Sequence, residues 1–462
     1  MRKLIVSLLF LIISSQINSQ ELSDIISLEE YLGMVKKFHP LVKQANLVIT
    51  ESEAKLLKSR GAFDPKFEID YGKKKFKGSE YFDKLNATFK IPTWYGVEFK
   101  ASFEENSGIF LNPEENVPTD GLYSVGVSVS LARGLLMNER MSMLKQAKFF
   151  QEQAKVDRQI LVNNVLFEAA KSYFNWLKTY NEKTVYEEFL INSEFRLNGI
   201  KRRFAEGDAA AIDTLETGII VNTRKLELEQ ANIKYVKATL ELSTFLWLNN
   251  TPVEFRDNMI PDNNTINTID IVFSLKTYNI DTIDIDTHPK LISLDRKLEG
   301  LKVDKRLKAN RLLPQVDLEY NFLTETPELL NSFDETQYKG RLTVRFPLFL
   351  RKERGNLNLS KVKLMDTEFE IKGTRFNLIN KIDAINREIL SLGRQTEFAE
   401  RIVRDYGTLL KAEERKFDVG ESSIFLVNSR ETKLIESKLK AIKVINDFLL
   451  SKATMFNALA LE

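Results

Sequence analysis

Six short stretches of the chain alternate apolar and polar residues with a period of two. Phe67, Ile69 and Tyr71 alternate with Glu68 and Asp70. Leu85, Ala87, Phe89 and Ile91 alternate with Asn86, Thr88 and Lys90, and Val97, Phe99, Ala101 and Phe103 with Glu98, Lys100 and Ser102. Tyr123, Val125, Val127, Val129 and Leu131 are separated by Ser124, Gly126, Ser128 and Ser130. The last two stretches run from Val316 to Phe322 and from Leu342 to Phe346. This period predicts β-strands with one apolar and one polar face. Strands of about ten residues, apolar outside and charged inside, suit a transmembrane barrel with a watery lumen. A soluble antiparallel sheet with one solvated face carries the same pattern. Polar stretches with Gly, Pro or Asn, at Lys73 to Tyr81, Glu104 to Thr119 and Thr324 to Gln337, read as loops between strands. Pro92 to Gly96 reads as a tighter turn, whose Trp94 and Tyr95 suit a membrane interface or a plain aromatic turn.

The rest of the pattern is helical. From about Asn138 to Ala205 there is no Pro and a single Gly, Gly199, and strong helix formers predominate. At 1.5 Å per residue, roughly 68 residues make a rod of about 100 Å. A break at Glu206-Gly207-Asp208 precedes a second helix, from about Ile212 to Leu248. A further pair runs from about Arg354 to Val419 and, after a break at Gly420, from about Ser423 to Leu459. Helices this long are rare in globular domains. Their return as antiparallel pairs points to a coiled-coil barrel or bundle.

The pattern occurs twice. Phe38-His39-Pro40 and Thr287-His288-Pro289 stand 249 residues apart (288 − 39), and the same offset aligns Pro65 with Pro314 and Tyr71 with Tyr320. "RRFAEGDAA" around Gly207 matches "RKFDVGESS" around Gly420 at an offset of 213 (420 − 207). The first copy therefore carries 36 more residues (249 − 213), and they fall in its strand region. A long period repeated twice indicates a duplicated domain and not a short-repeat solenoid. The predicted division is a leader at 1–20, a first repeat at 21–249, a linker at 250–287 and a second repeat at 288–462. The first repeat holds strands at about 65–131 and a helical hairpin at about 138–248. The second holds strands at about 315–347 and a hairpin at about 354–459. Pro after each His suits a first helical turn, so the histidines read as helix-start residues before they read as metal ligands.

Composition narrows the function. Lys+Arg 67 against Asp+Glu 65 leaves a net charge of +2, which gives no reason to expect a nucleic-acid partner. Cysteine is absent and histidine occurs only at His39 and His288, which excludes thiolate chemistry and disfavours an imidazole metal centre. No nucleophile constellation or phosphate loop is evident, so neither an enzyme nor a cofactor is expected. Arg2 and Lys3 followed by the apolar run Leu4 to Ile13 read as a secretory signal with cleavage near Gln20, the alternative being an uncleaved anchor. No later segment reaches about 18 uncharged apolar residues, so a membrane role has to come from strands. Open sheet edges cannot face lipid, and bacterial single-chain barrels begin at eight strands. Six strands in a membrane therefore require several chains to share one barrel.

Together these features resemble the TolC family of outer-membrane factors: two repeats, His-Pro helix starts, Phe-x-x-Gly helix breaks and a strand-rich segment in each repeat. "VSVSLARGLLMNERMSMLKQAK" (Val127 to Lys148) is similar to the family's strand-to-helix junction, and "VRFPLFLRKERGNLNLSKVK" (Val344 to Lys363) to its counterpart in the second repeat. The resemblance covers almost all of the chain beyond the leader. It implies an α+β membrane protein: a homotrimeric outer-membrane β-barrel continuing into a long α-helical coiled-coil barrel across the periplasm. It implies an exit duct of a tripartite efflux pump or type I secretion system. The expected partners are outer-membrane lipid, a periplasmic adaptor and an inner-membrane pump, and the duct performs no chemistry. The residues 250–287 would then join a belt around the tunnel.

The resemblance also places the two helix breaks at a periplasmic tip. Phe204, Gly207, Phe417 and Gly420 are then the helix-tip and adaptor-contact residues. In the family an acid commonly follows the glycine by six residues, with another at nine in the second repeat. Here Asp213 and Glu216 stand at six and nine in the first repeat, while Leu426 and Ser429 stand there in the second. Asp213 and Glu216 are therefore the candidate gate, with Arg202, Arg203, Arg415 and Arg430 as possible ion-pair partners. Asp213 as a helix-start acid favoured by the dipole is the competing reading. The competing function is a soluble periplasmic coiled-coil scaffold or adaptor.

Overall fold

The computed structural model describes residues 25–255, 258–275, 284–327 and 334–462. The leader read at 1–20 and parts of the 250–287 and Thr324–Gln337 stretches lie outside them. The chain divides into two compact units. One comprises the chain up to Ala45, Gln159–Asp284 and Leu378–Glu462; the other comprises Asn46–Arg158 and Ile285–Asn377.

In chain order the elements are β1 (Ile25–Ile26), α1 (Leu28–Phe38), α2 (Pro40–Arg60), β2 (Lys66–Phe76), β3 (Ser79–Pro92), β4 (Val97–Ser107) and β5 (Leu122–Ala132). Then follow α3 (Arg133–Leu136), α4 (Glu139–Ala205), α5 (Ala211–Ser243), β6 (Trp247–Leu248), β7 (Thr251–Pro252), β8 (Ile260–Pro261) and α6 (Thr265–Val272). The chain closes with α7 (Pro289–Asn310), β9 (Gln315–Thr324), β10 (Tyr338–Arg345), α8 (Arg351–Asp418) and α9 (Ile424–Ala458).

The second unit holds one antiparallel sheet of six strands in the order β10-β9-β5-β4-β3-β2. Two sequence expectations need correction here. The stretch Lys73 to Tyr81 is mostly strand, with only Lys77-Gly78 between β2 and β3. Both residues have positive φ, +49° and +81°, as a two-residue primed hairpin turn requires. The run of lysines disguises the strand, but Lys73 Nζ reaches across the hairpin to Glu80 at 3.0 Å and Asp83 at 2.7 Å. Likewise β4 continues through Glu104 to Ser107, because Asp83 to Asn86 offer it a ladder partner.

The first unit is built on long helices. Its main core gathers Tyr173, Phe174 and Trp176 of α4 with Tyr31 of α1, Leu242 of α5, Ile269 of α6 and Leu449 of α9, all fully or nearly fully buried. Tyr173 secures two short segments at once, donating to the Ile26 carbonyl at 2.8 Å and accepting from the Asp262 amide at 3.1 Å. Helix α5 ends at Ser243, five residues before the expected Leu248, because Trp247-Leu248 turn into a short ladder with Thr251-Pro252.

Both histidines start helices. His39 Nδ1 accepts the Leu41 amide at 3.2 Å and His288 Nδ1 the Lys290 amide at 3.1 Å, each ahead of a proline. Such a cap satisfies one of the orphan N–H groups of a helix N-terminus. Burial pushes the His39 pKa below the ordinary histidine value, which keeps Nδ1 free to accept.

Candidate functional site

The sheet sorts its side chains by face. Phe67, Phe89, Ala101, Val125, Phe322 and Tyr338 are successive ladder partners, so one apolar row crosses all six strands. Phe67, Ile69 and Tyr71 are each more than 60% exposed. Leaving a large apolar side chain in water forfeits about 1.5–3 kcal/mol each. The opposite face is charged and internally paired: Lys100 Nζ meets Glu319 at 2.9 Å, and Ser130 donates to Asp317 at 2.6 Å. The outer edges of β2 and β10 have no ladder partner among the described residues. Such a sheet offers a nonpolar medium one face and water the other, with two edges left to pair.

Helix α5 leaves a second unpartnered surface. Ile212, Ile219, Leu226, Ile233 and Leu240 stand seven residues apart and are all between 56% and 66% exposed. Its other stripe, through Val221, Ala231, Ala238 and Leu242, is buried. A strict seven-residue apolar seam is built to receive another helix.

The two helix breaks use one backbone solution. Gly207 and Gly420 have φ of +83° and +80°. At each, the glycine amide returns to a phenylalanine carbonyl, Phe204 at 3.0 Å and Phe417 at 3.1 Å. The next amide returns one residue further, to Arg203 or Lys416, at 2.8 Å in both. This is the Schellman geometry, and only the left-handed φ demands glycine, since an added Cβ would meet nothing within 4 Å.

The sequence-derived gate acids part company. Asp213 accepts the Ala210 amide at 3.3 Å, the local role of an acid in the first helical turn. Glu216 accepts from Asn428 of α9 at 3.4 Å. Of the four arginines that spacing offers as partners, two go elsewhere: Arg203 pairs with Asp208 at 2.9 Å and stacks over Phe417, and Arg430 faces Glu413 at 3.5 Å. Phe204 remains half exposed.

Beside Glu216 lies a cluster that spacing alone does not reveal. Glu431 of α9 is 1% exposed and is reached by Arg196 of α4 at 2.5 Å and by Arg224 of α5 at 3.9 Å. Arg196 also donates to Asn428 at 3.2 Å and lies 3.6 Å from Glu414 of α8. One buried carboxylate thus ties α4 and α5 to α9, and Arg196 extends the tie to α8. Burial pushes the Glu414 carboxyl above its ordinary value, with Glu431 adding to the shift and Arg196 opposing it. The signal was present in the sequence: Glu431 sits four residues after Val427 and three before Leu434, on an apolar helical stripe.

No protein-family model matches the chain, and no curated relative matches it in sequence. Solved structures do. CusC, a protein described as forming a transmembrane channel, superposes with a TM-score of 0.66 at 12% identity, over 96% of this chain and 95% of that one. The CmeC outer membrane channel of Campylobacter jejuni gives 0.65 at 12% identity, over 94% and 85%. The chain has the fold of these outer-membrane channels. The MtrE outer membrane channel of Neisseria gonorrhoeae agrees, at 0.64 and 11% identity over 94% and 88% of the two chains. At the level of the single chain this agrees with the TolC resemblance, and identity this low speaks for fold alone. Among the described residues no helix is long and apolar enough to cross a membrane, and no cluster of side chains could hold a metal ion.

Proposed function

We propose that the chain is an outer-membrane exit duct serving an efflux pump or a type I secretion system, assembled as a homotrimer. The single observation that carries the reading is the six-stranded sheet with an exposed apolar face, a paired polar face and two open edges. Its strands alternate in direction, so an even number leaves the two edge strands running oppositely. Edge-to-edge joining of copies then continues the antiparallel ladder without a break. Three copies contribute eighteen strands, the class of barrel that leaves an aqueous channel. The exposed heptad seam of α5 gives the helical part its own reason to associate. On this reading the chain is a duplication, split into repeats at 21–249 and 288–462 with 250–287 between them. The turns at Gly207 and Gly420, with Phe204 and Phe417, face a periplasmic adaptor that couples the duct to an inner-membrane pump. Asp213 and Glu216 line its gate.

The test is biochemical. The purified protein should require detergent, migrate as a heat-modifiable trimer and conduct ions in planar bilayers. A freely soluble monomer would refute the duct and favour a periplasmic scaffold. Asp213→Asn and Glu216→Gln should raise open probability or relieve cation block. Currents identical to the parent protein in both variants would remove the gate from the reading while leaving the duct intact.

A further inference from the structure

Within the second unit, α2, the start of α4, α7 and the start of α8 pack side by side. Lys55 of α2 lies 4.1 Å over the Phe150 ring of α4. Ser293 of α7 donates to Asp157 of α4 at 2.6 Å, and Ser360 of α8 donates to Asp304 of α7 at 2.6 Å. One open cavity of about 760 Å³ touches all four helices. That volume lies in the range of small-molecule sites.

Its charge is one-sided. Six lining residues are cationic, from Lys55 and Lys58 on α2 through Arg296, Lys297 and Lys308 on α7 to Lys363 on α8, against the single carboxylate of Asp304. Four of these cations have an acid within 4 Å: Lys55 with Glu51, Arg296 with Glu152, Lys297 with Glu370 and Lys308 with Asp304. Lys58 and Lys363 pair with no carboxylate among the described residues and bring the uncompensated charge. Between the cations the wall is apolar, with Phe149, Phe150, Leu301 and Leu359. Gly300 lies in the middle of α7, where glycine weakens a helix, and a Cβ added there would meet nothing within 4 Å. The missing side chain leaves cavity.

We propose that this cavity binds an amphipathic organic anion: an aromatic or alicyclic body against the apolar wall, with a carboxylate, sulfonate or phosphate head on Lys58 and Lys363. A small inorganic anion would leave the apolar wall wet, and a neutral apolar ligand would gain nothing from the two lysines, which stand exposed at the cavity. Binding at the cavity stands on its own. The further statement that such anions are cargo rests on the duct reading.

Naphthalene-1-sulfonate is a suitable probe, titrated by calorimetry against the full chain in lipid nanodiscs at low salt. Naphthalene-1-sulfonamide and inorganic sulfate serve as comparison ligands. The sulfonate should bind at least tenfold more tightly than either, and the preference should shrink as salt rises. Lys58→Gln with Lys363→Gln should weaken it at least tenfold, whereas Lys305→Gln, on the same α7 but outside the cavity, should not. Gly300→Phe should abolish binding while the protein melts no lower than the parent, since it fills space and improves the helix. Equal affinity for sulfonate and sulfonamide, tight binding of sulfate, or indifference to Gly300→Phe would overturn the proposal. If the sulfonate binds as expected yet leaves bilayer currents unchanged, the site stands and the cargo statement falls. If the protein forms no channel at all, the duct reading fails independently.

Discussion

At the first helix break the chain turns at Gly207 and restarts with Ala210 at the cap of α5; at the second it turns at Gly420 and restarts with Ser423 at the cap of α9. Ser423 Oγ accepts the Leu426 amide at 3.4 Å, which is the cap half of a capping box. Ala210 has no side-chain acceptor, and Asp213 instead accepts the Ala210 amide, which is the other half. The acid six residues after the glycine is therefore needed locally at one break and dispensable at the other, where Leu426 takes its place. A carboxylate reappears in the second copy at eleven residues, where Glu431 is buried against two arginines. At the same offset in the first copy stands Gly218. Backbone and charge were thus set separately: one glycine fixes the turn, and each hairpin places its ionised groups to suit its own packing.

The largest expected difference lies at that shared offset. Glu431→Leu removes the buried carboxylate between Arg196 and Arg224, leaving Arg196 with Glu414 at 3.6 Å and the buried Arg224 with Glu227 at 2.8 Å. Breaking a buried ion pair from one side costs about 3–5 kcal/mol. Gly218→Ala should instead be neutral or stabilising by up to about 1 kcal/mol, because a Cβ there meets nothing within 4 Å. Unfolding midpoints in detergent read both. The triple replacement Arg196→Met, Arg224→Met and Glu431→Leu should recover most of the loss. If it does not, the cluster contributes shape and not charge balance.

The sequence discloses most of the fold for identifiable reasons. Period-two alternation and long Pro-free helical runs are local signals, and the hairpins and strands lie where those signals fall, give or take a few residues. What escaped was of two kinds. Lys73 to Lys75 are polar on every position and became strand only because β3 pairs with them, which no local pattern encodes. The Arg196–Glu431–Arg224 cluster joins residues 235 and 207 positions apart, so spacing rules tuned to the helix break point to Asp213 and pass over it. A charged residue on a buried stripe was the available clue.

The next effect should be equal at both breaks. Gly207→Ala and Gly420→Ala each force a Cβ into the left-handed region at φ near +80°, at a cost of about 1–2 kcal/mol. Asn at either position should recover part of it. If one break loses more than about 1 kcal/mol beyond the other in thermal unfolding, the two turns are not equivalent and the shared-backbone half of the comparison fails.

The smallest effect tests the divided capping box. Ala210→Ser supplies the missing acceptor at the first break and completes the box with Asp213, so it should stabilise α5 by about 0.5–1 kcal/mol. Ser423→Ala removes the corresponding group from α9 and should cost about as much. Asp213→Asn should then harm the Ala210→Ser protein less than the parent, because the serine still caps the helix. That coupling is readable from a double-mutant cycle on the unfolding midpoints. Strict additivity would mean that Asp213 is not serving the helix start, and its carboxylate would be left to the gate alone.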